Sequence, residues 1–451
     1  MDRRAFLSGT FGIAALSPAA ASVDSTISGL KGTFDPSPAI LTPGVNRDQG
    51  PILQRLLEEA AAEDRPLLLP PGRFVVSNIK LPARTRLAGV AGSTSLVLGD
   101  GGSLITAEGA EIVTLRDLII DGSGGKLEDY VPGLVHLVDC RNVSIENCAI
   151  VGSPASGIAL DRSGGRISHS RVVHAAAAGI RVIESTGLSI ADNVVEDCGN
   201  GGILVWRWKE GEDGTIVSGN RVARIAANDG GTGENGNGIN VFRAHGVVVS
   251  NNHISDCAFT AVRANSANNV QIVGNNCRDL GEVGIFCEFS FAGCVIANNI
   301  VDKAGSGISV ANFLEGGHIA VVANNIVRDL TGTGPYPAEA QGFGVGIAVE
   351  ADVALSGNVI DGAPRFGMVL GWGPYLRDVA ATGNVIRRSA VGIAVSVVEG
   401  AGAAVINDNL ISGATRGAIR GMRWAEPASD DLALSGAAAF PHLMVERNRI
   451  S

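Results

Sequence analysis

The sequence predicts an all-β solenoid: a right-handed parallel β-helix of three-strand coils, about 13 of them, with a short N-terminal capping helix. Three observations carry the prediction. The first is composition: 61 of 451 residues are Gly and 45% are apolar, but only 4% are aromatic. So few rings fill neither a conventional sandwich nor a doubly wound core. Low charge with abundant aliphatics excludes disorder, and the glycines lack the period of three that collagen needs. The second is an Asn followed by an apolar pair, at Asn147, Asn193, Asn220, Asn252, Asn276, Asn299, Asn325, Asn358, Asn384, Asn409 and Asn448. Asp117 and Ser170 take the same place in two coils, and the spacing has a floor of 23 residues. The third is Gly-Ile-x-Val, as at Gly157-Ile158, Gly202-Ile203 and Gly346-Ile347. In–out segments of three to five residues are strands, and a fixed floor with variable excess means constant coils with insertions at particular turns. Asn suits such a turn because it tolerates the left-handed conformation, and its amide can bond the same Asn one coil away.

The remaining elements follow in chain order. Residues 1–21 open Met1-Asp2-Arg3-Arg4-Ala5-Phe6-Leu7, continue through a short apolar run and end in small residues, the pattern of a secretory leader. The arginine pair before Phe-Leu is similar to a twin-arginine (Tat) signal. It predicts export to the periplasm or the medium, with the Tat translocase as partner of residues 1–21. Residues 22–46 read as a lead-in. Residues 47–80 read as a cap, in which Ile52, Leu53, Leu56, Leu57, Ala60 and Ala61 form one helical stripe and Asp48 is the N-cap. Residues 81–451 are the solenoid, with 424–441 folding over its C-terminal end.

A net charge of −10 argues against bulk binding to nucleic acid or to an anionic membrane. No segment after the leader has the apolar length of a membrane span, so the mature form is expected free of the membrane. The seven cysteines sit in apolar runs without metal spacing and read as core residues, with Cys287–Cys294 the candidate bridge. The histidines apart from His245 read as scattered over turns, and no metal or named cofactor is called for.

If Gly-Ile-x-Val is a strand, its Ile and Val point inward and the x residue and the one after Val point outward. In the middle coils those outward pairs are polar or aromatic: Arg181/Ile183, Leu204/Trp206, Asn240/Phe242, Arg263/Asn265 and Phe286/Glu288. Insertions carrying Trp206, Arg207, Lys209, Tyr336 and Trp372 fall beside the same coils. Planar rings beside polar side chains suit sugars, and Arg suits carboxylates. Arg181, Trp206, Lys209, Asn240, Glu350 and Trp372 are therefore candidate substrate-binding residues. Arg243 and Arg263, as cations, and Glu288, as base (with His245 its alternative), are the candidate catalytic set for β-elimination from a uronate. Besides a structural or adhesive rod, which would need neither the aromatic nor the arginine-rich face, two readings stay open. One is an exported protein binding an acidic polysaccharide, with cleavage or epimerisation as its enzymatic form. The other is a non-catalytic cofactor- or ligand-binding scaffold.

The capping helix, the Leu-Pro-Pro-Gly-Arg-Phe turn at 69–74 and the Asn and Gly-Ile coils together resemble the pectate-lyase-like β-helix superfamily. With Arg3-Arg4 in front, the whole chain resembles the bacterial Tat-translocated repetitive proteins, a group without an established activity. That resemblance implies fold and export. The lyase, polygalacturonase and epimerase motifs of the superfamily are absent from this sequence, so no family site carries over.

Overall fold

The computed structural model describes residues 40–231, 233–337 and 342–451. The leader and most of the lead-in lie outside the described residues. Leu41–Ser451 is one compact unit, a parallel β-solenoid. One face is a continuous sheet of fifteen strands, and the other two faces join at the corners into a second sheet of 28. Fifteen stacked strands make about 14 turns, because the winding starts at Leu67–Leu68, inside the segment read as the cap. No helix among the described residues is long and apolar enough to cross a membrane.

The core is a column of stacked aliphatics, with Ile158, Ile180, Ile203, Ile239, Ile285, Ile308 and Ile347 no more than 1% exposed. The Gly before each of these stays Gly for room. A Cβ on Gly202 would lie 2.2 Å from the carbonyl oxygen of Gly238 in the next coil and 2.6 Å from Val222 Cγ1.

Beside the column runs an amide ladder. Asn193, Asn220, Asn252, Asn275, Asn299, Asn325, Asn358, Asn384 and Asn409 are each essentially fully buried. In each, Nδ2 and the backbone N–H both donate to the Oδ1 of the next Asn, at 2.9–3.1 Å. The ladder corrects the sequence reading in two ways. The left-handed residue is not the ladder Asn but the one before it: Asp192, Gly219, Asn251, Gly274, Asn298, Asn324, Gly357, Gly383 and Asp408 all have φ between 57° and 69°, apart from 55° at Asn251. Asp117 and Asn147 are likewise turn residues, at φ 57° and 52°, and the Asn275-Asn276 coil uses Asn275 as its rung. One position bends the chain and the next bonds along the axis, and Asn suits both.

The capping helix spans Gly50–Ala62 and buries Leu53, Leu57 and Ala60. Its N-cap is Gln49 rather than Asp48, although Asp48 Oδ1 still accepts from the Gly50 N–H at 2.7 Å. At the other end, Glu426–Asp431 pairs antiparallel with Ile419–Arg423, and the following turn of helix buries Leu432. All seven cysteines are buried free thiols, and Cys287 and Cys294 have their sulfurs in contact.

Candidate functional site

Strand register sets the outward face. Along one row Arg181, Leu204, Asn240, Arg263 and Phe286 are direct partners from coil to coil. Along the next, Ile183, Trp206, Phe242, Asn265 and Glu288 are partners. Two insertions rise over these rows. The strand Gly201–Glu212 runs on past the face, its register breaking between Trp206 and Gly211, which lifts Trp208 above the sheet. The segment before Asn237 brings Gly233 and Glu234 across. Between them lies a cleft of about 380 Å³.

One wall is aromatic. Trp206 meets Trp208 and Phe242 edge to face, with centroids 6.3 and 6.2 Å apart. Phe289 completes the lining. The indole N–H of Trp206 has no hydrogen-bond partner. The floor is polar: Asn240, Asn265, Arg263 and Glu288.

Arg263 dominates the floor and is already satisfied. Its Nε and Nη2 donate to the two oxygens of Glu288 at 2.6 and 2.9 Å. Its Nη1 donates to Glu282 Oε2 at 3.3 Å. Asn265 Nδ2 donates to the same Glu288 at 2.9 Å. Glu282, which is fully buried, also accepts from Thr260 Oγ1 at 2.7 Å and from the Tyr336 hydroxyl. The guanidinium lies over the Phe286 ring at 5.1 Å, and a Cβ on Gly233 would stand 1.9 Å from Nη1. Burial works against the guanidinium charge, but Glu288 and Glu282 outweigh it and hold its pKa above the usual arginine value.

Four of the sequence candidates therefore meet in the cleft: Trp206, Asn240, Arg263 and Glu288. The others do not line it. Arg243 occupies a left-handed turn (φ 56°) and donates from Nη1 to the Trp208 carbonyl at 2.9 Å, bracing the aromatic wall from behind. Lys209 is exposed, and its backbone N–H rests on Glu184. Arg181 pairs with Asp161 at 3.3 Å on the upstream face. Asp161 also meets His136 Nε2 at 3.1 Å, so His136 belongs to a strand of this face and not to a turn. Glu350 receives the Phe313 N–H at 2.6 Å and clamps a local turn, and burial raises its pKa. Trp372 meets Trp424 edge to face, with centroids 5.7 Å apart, toward the C-terminal end. His245 is held by Asn268.

Sequence reasoning missed Glu282, Thr260 and Phe289. The one signal for Glu282 was the register shift toward the following coil, where Gly281-Glu282 stand opposite the single Gly305.

The chain was compared with known proteins. Residues 95–222 and 210–326, together just over half of it, match the family described as right handed beta helix region. No curated protein matches. Among solved structures, the bacteriophage phi29 gene product 12 N-terminal fragment is 17% identical, with a TM-score of 0.46 over 86% of this chain and 72% of that one. The Azotobacter vinelandii mannuronan C-5 epimerase AlgE6 A-module is 16% identical, with a TM-score of 0.42 over 91% of this chain and 96% of that one. A PL6 alginate lyase in complex with a trisaccharide is 13% identical, with a TM-score of 0.48 over 78% and 82%. At such identities the likeness is one of fold alone. The chain belongs to the right-handed β-helix family.

Proposed function

We propose that the protein is an exported carbohydrate-binding β-helix whose ligand lies in the Trp206–Glu288 cleft. The observation that carries this reading is an aromatic wall facing a floor of amides and a carboxylate across about 380 Å³. Rings of that kind stack on sugar faces, while amides and carboxylates hold hydroxyls. Export rests on residues 1–21 alone, with the Tat pathway, the periplasm or medium, and kinship with the Tat-translocated repetitive proteins as the specific form. Replacing Arg3 and Arg4 by Lys should keep the protein in the cytoplasm.

The charges refine the ligand class. An acidic polysaccharide was expected from five basic residues, but four are engaged within the protein: Arg181 by Asp161, Arg207 by Glu184, Arg243 by the Trp208 carbonyl and Arg263 by two carboxylates. With Glu282 and Glu288 around Arg263, the arginine that lines the cleft, the cleft favours neutral sugar units over uronates. β-Elimination also needs a free cation and a free base. Here Arg263 and Glu288 satisfy each other, which supports binding over cleavage or epimerisation.

The test is tryptophan fluorescence and calorimetry against a panel of neutral and uronate oligosaccharides, with the uronate samples also followed for unsaturated product. Binding of a neutral glycan, weakened about tenfold in Trp206→Ala, is expected from the loss of a stacking contact of about 1.4 kcal/mol. Binding confined to uronates, or unsaturated product, would restore the acidic-polymer reading. No binding by any glycan would remove the carbohydrate.

A further inference from the structure

The fifteen-stranded face has a charge distribution that ligand binding does not explain. Its two outward rows run in strict register, and the early coils carry charge in every pair: Arg86, Arg116, Glu146 and Arg166. From Ser189/Ala191 to Val405/Asn407, nine consecutive coils, neither row holds a charged side chain. The first row there includes Ile216, Val295 and Val321, 45%, 37% and 42% exposed. The second is Ala, Ser, Val, Thr and Asn throughout. Along these rows charge returns in the next coil, at Glu446, while Asp352 and Asp378 edge the groove that the rows floor. Beside this strip Ile319 keeps a left-handed backbone (φ 61°) and is 53% exposed, where the neighbouring coils have Gly293 and Asp352. A β-branched residue there costs about 1–2 kcal/mol, spent on adding apolar surface.

We propose that this facet is the contact between two copies of the chain, packed antiparallel about a two-fold axis at Val295. Two features select a second copy in that orientation, and a third sets its strength. First, the uncharged stretch is self-complementary. A two-fold at Val295, the fifth of the nine coils, sets Ile216 on Ala380 and Val248 on Ala354, large on small. Second, the bounding charges match: the same operation brings Arg166 of one copy to the Glu446 end of the other. Both side chains are mostly exposed, at 61% and 56%, and their partners within the chain are loosely held: Arg166 lies 4.0 Å from Glu146, and Glu446 3.7 Å from Arg447. A parallel pair would instead face Arg166 with Arg166. Third, nine coils at about 4.8 Å by two rows of about 10 Å give a footprint of roughly 430 Å² per copy. That lies below the usual ~800 Å² per partner, so the dimer belongs with weak, transient contacts, and micromolar affinity is the range to search.

The experiment is sedimentation of the full chain from about 1 to 100 µM, bracketing that affinity. Wild type should approach twice the 46.1 kDa chain mass at the upper end, and Val321→Lys should stay monomeric with an unchanged circular dichroism melt. Arg166→Glu should weaken the dimer, and Arg166→Glu with Glu446→Arg should restore it. Because the native thiols are buried, Val295→Cys should cross-link two copies under mild oxidation while Val405→Cys should not. A monomeric wild type at 100 µM, equal cross-linking at both positions, or no rescue by the double swap would overturn the proposal. None of these readouts depends on the ligand of the cleft.

Discussion

Asn325→Ala is the most direct test of what holds the solenoid together. Asn325 Oδ1 accepts from the backbone N–H and Nδ2 of Asn299, both at 3.0 Å. Its Nδ2 donates to the Ile296 carbonyl at 2.9 Å and to Asn358 Oδ1 at 3.0 Å. The substitution deletes all four bonds, but their losses differ. Asn299 Nδ2 keeps the Ile272 carbonyl, and Asn358 Oδ1 keeps the Asn325 backbone N–H. The Asn299 amide loses its ladder acceptor where no solvent reaches, because Asn299 and Asn325 are both 0% exposed. An orphaned buried donor costs about 1–3 kcal/mol and each half-lost bond about 0.5–1. The total is about 2.5–6 kcal/mol. Asn448 ends the ladder half-buried, where water can replace its bonds, so Asn448→Ala should cost about 1 kcal/mol. Urea unfolding followed by circular dichroism measures both. Near-equal costs for the two variants would refute the ladder as a source of stability. Asn325→Asp adds a check: its second oxygen would face two acceptors, Ile296 O and Asn358 Oδ1. It should be destabilised at neutral pH and recover on acidification, when the protonated acid can donate.

Three further outcomes are expected. Arg263→Met strips the cation from two buried carboxylates and should cost about 3–5 kcal/mol in unfolding measurements; a loss under 1 would mean that water already reaches Glu282. Trp208→Ala should weaken glycan binding with little change in melting temperature, since Trp208 is 59% exposed, and a fall in stability as large as the fall in affinity would make the ring a packing element instead. Glu350 has a folded pKa raised above its ordinary 4.5 by burial, so the native state binds the extra proton and stability falls as pH rises through that window. Glu350→Gln should flatten that part of the pH–stability profile, and an unchanged slope would show that Glu350 is not the group responsible.

Much of the candidate site was legible because a strand alternates strictly and a solenoid repeats strictly. Once Gly-Ile-x-Val was read as a strand, Trp206, Asn240, Arg263 and Glu288 had to point outward from neighbouring coils. At Asn276 the reading fell one residue late, on the Asn that opens the strand after the rung; the one-residue error at Asn147 has a physical source. The bend and the ladder make different demands on adjacent residues, and Asn meets both. Arg243 and Lys209 misled because they lie close in sequence to outward positions, yet one sits on a left-handed turn and the other on a strand that has left the face.

The sequence by itself determined the coil, its handedness through the family, the capping helix and the outward rows that floor the cleft. All of these rest on local backbone preferences repeated at a fixed interval. Only the tertiary structure decided the chemistry of the cleft. Insertions obey no period, so the sequence did not show that Trp208 and Gly233 close over the face. Nor did it show that Glu282 lies under Arg263, or that the arginine meant for a ligand is bound by the protein's own carboxylates. Charges are settled by which side chains meet across coils 19 to 25 residues apart, and that distance is closed only by the fold.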